Sequence, residues 1–228
     1  MLRNWEHLPE SMRTEAVRPY YEILKKKTAA LYVKRLFDIL LAVVLLLLLL
    51  IPMLIIGICI KADSEGPVFY RQERVTTYGR VFRIHKFRTM VNHADQIGTA
   101  VTVNQDARIT SIGKKIRNLR LDELPQLLDV LEGNMSFVGT RPEAVKYVKR
   151  YEPEYMATLL LPAGITSEAS IRFRNEAELL DGVTDTDEVY VKQILPEKMK
   201  WNLDSIRQFS LCNEFKTMVK TVTAVFGK

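Results

Sequence analysis

From Ile39 to Ile60 the chain carries no charged residue, and Leu45 to Leu50 is an unbroken run of leucine. Wound as helix at about 1.5 Å per residue, the stretch reaches about 33 Å, enough to cross a hydrocarbon core of about 30 Å. A buried helix of a soluble domain rarely carries so long a leucine run. A secretory signal is disfavoured too, because the run starts far from Met1 and no small-residue cleavage pattern follows. The segment therefore belongs in a membrane. Lys34 and Arg35 precede it and Lys61 follows it, so the positive-inside rule gives no orientation. Pro52 lies inside the run, where its missing amide and its clash with the preceding turn bend a helix. A straight span and a kinked helix that enters and returns on one face both satisfy these constraints.

The 228 residues leave room for one ordinary domain beside this segment. The expected division is a surface arm over 1–33, a membrane helix over 34–61 and a small domain over 62–228. In the arm, Glu22 to Lys27 suits a short basic amphipathic helix whose Lys25, Lys26 and Lys27 form a solvated charge run or touch anionic lipid. The formal charge of +6 favours anionic partners. Nucleic acid is excluded as the first choice, because the cations cluster beside the membrane segment and no recognisable nucleic-acid module is present. Cys59 and Cys212 are the only cysteines, and Cys59 falls within the apolar run, so neither a disulfide framework nor a zinc site is expected. The soluble part reads as cytosolic.

Past the turn at Ser64-Glu65-Gly66-Pro67, two alternating stretches, Val68 to Arg74 and Arg80 to Phe87, are joined around Thr76-Thr77-Tyr78-Gly79 and predict a β-hairpin. Between Arg71 and Met90 six Lys/Arg face one acid, Glu73. This positive face suits lipid headgroups, and Lys86-Phe87-Arg88-Thr89 also offers point charge, fork and hydroxyl for a phosphate. His85 and His93 have no partner at metal-ligand spacing and are given no chemistry. Residues 91–108 read as a loop, and Gly113 to Leu121 as a short helix bearing Lys114, Lys115, Arg117 and Arg120.

Next come Asp122 and Glu123, two adjacent carboxylates. Pro125 sets a helix start near Asp122, and Gly133-Asn134 can close that helix about three turns later. The carboxylates would then sit at a helix N-terminus, which keeps them ionised and also attracts phosphate. An ordinary N-cap followed by a first-turn acid is the competing account. Beyond lies a breaker-rich loop, Gly133 to Pro142, where Gly139 allows close backbone approach and Arg141 can grip an anion. A helix is expected over 143–161, a turn over 162–167, an acidic tract from Glu176 to Glu188, and mostly helix from Tyr190 to Phe226, with Met218, Val219, Val222 and Val225 on one face.

Five colinear elements carry a resemblance: Lys34-Arg35-Leu36-Phe37-Asp38, Gly66-Pro67-Val68-Phe69, Lys86-Phe87-Arg88-Thr89-Met90, Leu121-Asp122-Glu123-Leu124-Pro125-Gln126-Leu127 and Met135-Ser136-Phe137-Val138-Gly139. From about Lys34 onwards the chain resembles the bacterial sugar transferases, the small monotopic phosphoglycosyl transferases. The resemblance implies an α+β, mostly helical fold with an N-terminal re-entrant membrane helix hairpin broken at Pro52, and a cytosolic catalytic domain containing the β-hairpin. It places the protein at the bacterial cell membrane, facing the cytoplasm. The implied reaction moves a sugar phosphate from a UDP-sugar to undecaprenyl phosphate with Mg²⁺, opening capsule, exopolysaccharide or other surface glycan assembly.

Asp122 matches the family's nucleophile, which forms an acyl phosphate and releases UMP, and Glu123 matches the magnesium contact. Arg117 and Arg174 fall on phosphate-holding positions, Lys86, Arg88 and Arg141 assist, and Asp187 matches an acidic position near the site. Membrane lipid and a second copy of the chain, as a homodimer, complete the expected partners. Two departures bear on the sugar pocket: Thr140 stands where many members have proline, and Ala163 to Ser170 replaces a Pro-Gly-Ile-Thr-Gly turn with a following tryptophan segment. Two other classes remain: a membrane-anchored binding protein without catalysis, and an ordinary glycosyl transferase that releases UDP.

Overall fold

The computed structural model describes residues 2–92, 94, 106–179 and 185–226. The expected loop over 91–108, His93 included, and the centre of the acidic tract fall largely outside them. Helix α1 (Arg18–Lys26) leads into α2 (Thr28–Asp63), a continuous helix of 36 residues with Pro52 inside. Among the described residues it is the one helix long and apolar enough to cross a membrane. Its middle is bare, with Leu47 72% and Ile51 69% exposed.

Both flanks of α2 are packed. Ala42 joins Val130 and Met135 in one apolar cluster, and Ile60 joins Phe87 and Ile116 in another. Polar contacts fix the same ends. Asp38 accepts from Ser136 Oγ at 2.7 Å, Arg35 Nη1 donates to the Val130 carbonyl at 2.7 Å, and Asp63 accepts from the Ile112 amide at 3.0 Å.

The hairpin forms as expected, from β1 (Phe69–Val75) and β2 (Val81–Phe87), antiparallel with Tyr70 opposite Lys86 and Arg74 opposite Phe82. Its tight turn puts Tyr78 and Gly79 at positive φ. Then come α3 (Ser111–Asn118), α4 (Gln126–Leu131), β3 (Met135–Val138), α5 (Val145–Val148), β4 (Ala163–Thr166), α6 (Glu168–Arg172), α7 (Glu176–Leu179), α8 (Thr186–Val189), α9 (Leu195–Arg207) and α10 (Leu211–Phe226).

Three expectations are corrected. Residues 133–142 and 162–167 are not simply loop and turn. They contain β3 and β4, a parallel pair with Ser136 opposite Gly164. Gly139 and Gly164 permit this pairing, since a Cβ on Gly164 would lie 2.2 Å from the Gly139 backbone. The helix expected over 143–161 is broken by Pro153 into α5 and a 3₁₀ stretch, Pro153–Leu160, whose Leu159 and Leu160 are buried.

The third concerns the N-terminal arm. It is core, not surface: Leu8, Met12, Val17, Tyr20, Tyr21 and Leu24 are buried against Leu160 and the C-terminal part of α9. Arg18 to Lys26 still shows an outer basic edge, with Lys25 and Lys26 exposed. The apolar residues of the arm recur without helical period because much of it is 3₁₀ turn and irregular chain, so their burial left no periodic signal.

Candidate active site

Asp122 sits in a 3₁₀ turn, Leu121–Glu123, between α3 and α4, and not in the first turn of a long helix. Arg120, at φ 57, ends α3 with a left-handed residue and redirects the chain into that turn. Pro125 precedes α4 directly, and Gly133, at φ 82, closes it. The expected stop is therefore present, but the start lies at Gln126. Burial and the neighbouring charges, not a helix end, set the charge of the two acids.

Glu123 Oε1 accepts from Lys86 Nζ at 2.9 Å and from Arg141 Nη2 at 2.6 Å, so strand β2 and the chain after β3 close on the same carboxylate. Burial by itself would raise its pKa; Arg141 and Lys86 reverse this and hold Glu123 well below the usual carboxylate range. Burial pushes Asp122 the other way, upward, reinforced by the Glu123 charge and opposed by Lys86, Arg117 and Arg120. Lys86 is itself lowered by burial, against the pull of Glu123. The pair thus consists of one firmly ionised acid and one more basic carboxylate, the better nucleophile of the two.

A divalent ion suits Glu123 in part. Both described bonds end on Oε1, and Mg²⁺ is commonly held by one or two carboxylates with the remaining ligands from phosphate and water. Lys86 and Arg141 lie close enough to oppose a bare ion, so the donor set fits an ion arriving with a diphosphate.

Beside this cluster lies a cavity of about 200 Å³, lined in part by Arg74, Lys86, Arg141, Glu143, Tyr147 and Lys198. The sequence reading missed Arg74, Glu143 and Lys198. Lys198 bridges Glu143 at 3.1 Å and Glu176 at 3.0 Å, and Tyr190 donates to Glu143 at 2.6 Å. Strand alternation was the available signal for Arg74. Its even-numbered position puts it on the same hairpin face as Lys86.

The remaining expected residues divide. Arg117 lies close enough to draw down Asp122. Asp187 is bound by Lys146 at 2.5 Å and Tyr147 at 2.7 Å, at the edge of the cavity and not on the dyad. Arg174 donates to the Ala224 carbonyl at 2.6 Å, and its own carbonyl accepts from Arg120. Arg88 turns to the end of α2, donating to the carbonyls of Glu65 and, at 2.7 Å, Ser64. Neither Arg88 nor Arg174 makes a described bond to the two acids.

His85 proves to be a linker. Its Nδ1 lies 2.9 Å from Asp129 Oδ1, its amide donates to Asp129 Oδ2 at 2.8 Å, and Arg71 meets Nε2. Glu132 is near enough to complete a three-ligand group. Arg71 at the other ring nitrogen makes this a lock between hairpin and α4 and a poor cation site.

The family description "Bacterial sugar transferase" matches residues 29–228. The chain belongs to the bacterial sugar transferase family. It is 35% identical over 197 residues to a UDP-N-acetylgalactosamine-undecaprenyl-phosphate N-acetylgalactosaminephosphotransferase of Aeromonas hydrophila, covering 85% of this chain and 44% of the relative. A UDP-glucose:undecaprenyl-phosphate glucose-1-phosphate transferase of Xanthomonas campestris pv. campestris is 37% identical over 201 residues, 86% of this chain and 39% of the relative. A protein of the same description from Caulobacter vibrioides is 34% identical over 195 residues, 84% of this chain and 69% of the relative. The chain thus spans less than half the length of the first two of these family members. The described sugars differ between these relatives, so membership leaves the sugar open.

Proposed function

We propose that the protein is a phosphoglycosyl transferase: it moves a sugar 1-phosphate from a UDP-sugar to undecaprenyl phosphate and releases UMP, starting a surface glycan. The relatives' described reactions support the donor and acceptor classes. The observation that carries the reading is the pairing of a buried, raised-pKa Asp122 with a Glu123 clamped by Lys86 and Arg141.

Asp122 attacks the sugar-bearing phosphorus, the P–O bond to UMP breaks, and the acyl phosphate is then opened by the acceptor phosphate, which frees Asp122. Lys86 and Arg141 offset charge that gathers as the nucleotide leaves, and Lys86, Arg117 and Arg120 oppose the upward push of burial and of Glu123 on Asp122. Mg²⁺ bound at Glu123 would supply charge neutralisation of the diphosphate.

For topology, α2 enters and leaves the bilayer on one face, bent at Pro52. A straight span would carry its flanks to opposite sides, yet Ala42 and Ile60 both pack on the soluble body. That body faces the cytoplasm, where nucleotide sugars are made.

Nucleotide release is the test, using purified protein, a panel of UDP-sugars, Mg²⁺ and undecaprenyl phosphate, run beside Asp122→Asn. UMP that depends on Asp122 is expected. UDP would show ordinary glycosyl transfer, and full cellular function of Asp122→Asn without turnover would show a binding protein.

A further inference from the structure

The cavity beside Glu123 is built for an anion that the two carboxylates do not supply. Arg74 reaches it from β1 and makes a hydrogen bond of 2.6 Å to Gln72, a neutral side chain. No described carboxylate lies within ion-pair distance of its guanidinium. Burial pushes its pKa down and Arg141 adds to this, with Glu143 as the main opposing charge. Arg74, Lys86 and Arg141 all line the cavity, and Glu123 engages only the last two; the lining carboxylates Glu143 and Glu176 are both ion-paired to Lys198, and Lys146 to Asp187. Holding a guanidinium there beside like charges is costly unless an anion completes the site.

We infer that this cavity holds the nucleotide half of the donor, with Arg74 gripping the phosphate that leaves. The inference rests on the reaction proposed above. Asp122 lies outside the cavity lining, while Lys86 and Arg141 reach both the cavity and Glu123. In an in-line displacement the leaving oxygen lies opposite the attacking one, so the phosphate seated away from Asp122 is the departing one. A planar guanidinium can take two of its oxygens at once. Tyr147 and Tyr190 also line the cavity, with ring centroids 4.5 Å apart, and give an aromatic surface for a base.

The probes are UMP and glucose 1-phosphate, titrated against full-length Asp122→Asn protein with and without Arg74→Gln. UMP affinity is expected to fall about tenfold or more with Arg74→Gln and to recover in part with Arg74→Lys, while glucose 1-phosphate affinity stays unchanged. Unchanged UMP binding in folded Arg74→Gln overturns the inference, as does selective loss of glucose 1-phosphate. Should Arg74→Gln fail to fold, phenylglyoxal labelling of the wild type decides: UMP shields Arg74 if the inference holds, and absence of shielding overturns it. Failure of the reaction itself is read separately, as absence of UMP release by wild-type protein.

Discussion

Lys86 Nζ stands 2.9 Å from Glu123 Oε1, and this contact ties the end of the hairpin to the Leu121–Glu123 turn. Lys86→Gln leaves Glu123 with Arg141 alone and removes one of the charges that favour ionised Asp122. Turnover should fall by about 10² to 10³, the usual cost of losing one preorganised charge contact. The pH dependence has a definite sign. Because the folded pKa of Asp122 is raised, nucleophilic attack declines on acidification at a pH above the usual aspartate value, and Lys86→Gln moves that decline to still higher pH. Glu123, depressed on folding, contributes stability above its unfolded pKa that is lost as pH falls through its folded one. A single-turnover pH profile and acid unfolding curves check both, and an acid limb moving to lower pH would refute the coupling.

Arg88 should behave as a structural residue. Its guanidinium satisfies carbonyls at the end of α2 and in the turn beyond it, and bonds to a charged donor are each worth about 2 kcal/mol. Arg88→Ala is expected to lower the thermal midpoint while donor KM in the surviving folded fraction stays near wild type. A rise of about tenfold in KM at unchanged stability would instead return Arg88 to the phosphate.

Asp38 anchors the base of the membrane helix. It is 2% exposed, takes Ser136 Oγ at 2.7 Å, and lies 3.9 Å from Lys34, which also pairs with Glu214 of α10. Asp38→Ala leaves the buried Ser136 hydroxyl only the Val138 carbonyl at 3.2 Å and buried Lys34 only Glu214, and should cost about 1–3 kcal/mol. Asp38→Asn keeps the shape and one acceptor and should cost less. Detergent-solubilised thermal unfolding of both variants ranks them, and equal costs would show that charge dominates over hydrogen bonding.

Much of this arrangement was legible because its signals are local. The uncharged run announced α2, alternation and Thr77-Tyr78-Gly79 announced the hairpin, and Gly133 marked the end of α4. What escaped depends on distant partners. His85 meets Asp129 across 44 positions, and either residue alone reads as an ordinary polar side chain. Strands β3 and β4, of four residues each, are too short to display a period, and their pairing rests on Gly139 meeting Gly164. Asp122 was expected to be ruled by a helix dipole because Pro125 lies near. The left-handed Arg120 that makes a separate turn of Leu121–Glu123 has no sequence marker such as glycine.

The topology of α2 gives a direct measurement. With Cys59 and Cys212 replaced by serine, single cysteines at Leu36 and Lys61 should both react with an impermeant reagent from the cytoplasmic side only. Pro52→Ala restores an amide and removes the ring clash, which favours a straight helix. On the bent course proposed for α2, straightening pulls Ile60 from Phe87 and Ile116 or releases Ala42 from Val130, so the variant should lose stability although its helix propensity rises. Labelling of the two positions from opposite sides in the wild type would show a spanning helix.

Arg120 stores strain two residues before Asp122. At φ 57 a residue with a Cβ carries a penalty of about 1 kcal/mol or more that glycine escapes, so Arg120→Gly should raise the thermal midpoint and Arg120→Val should lower it. Activity should move differently from stability. Arg120 is one of the charges that draw the Asp122 pKa down, and its Nη2 holds the Arg174 carbonyl at 3.2 Å. Removing it leaves Asp122 more basic, so Arg120→Gly gains stability yet loses rate first at acidic pH. Arg120→Lys keeps the charge in a strained position and should retain the wild-type acid limb. Melting curves and single-turnover pH profiles on the three variants separate backbone from charge. A destabilised Arg120→Gly would show that the side chain's contacts outweigh the strain.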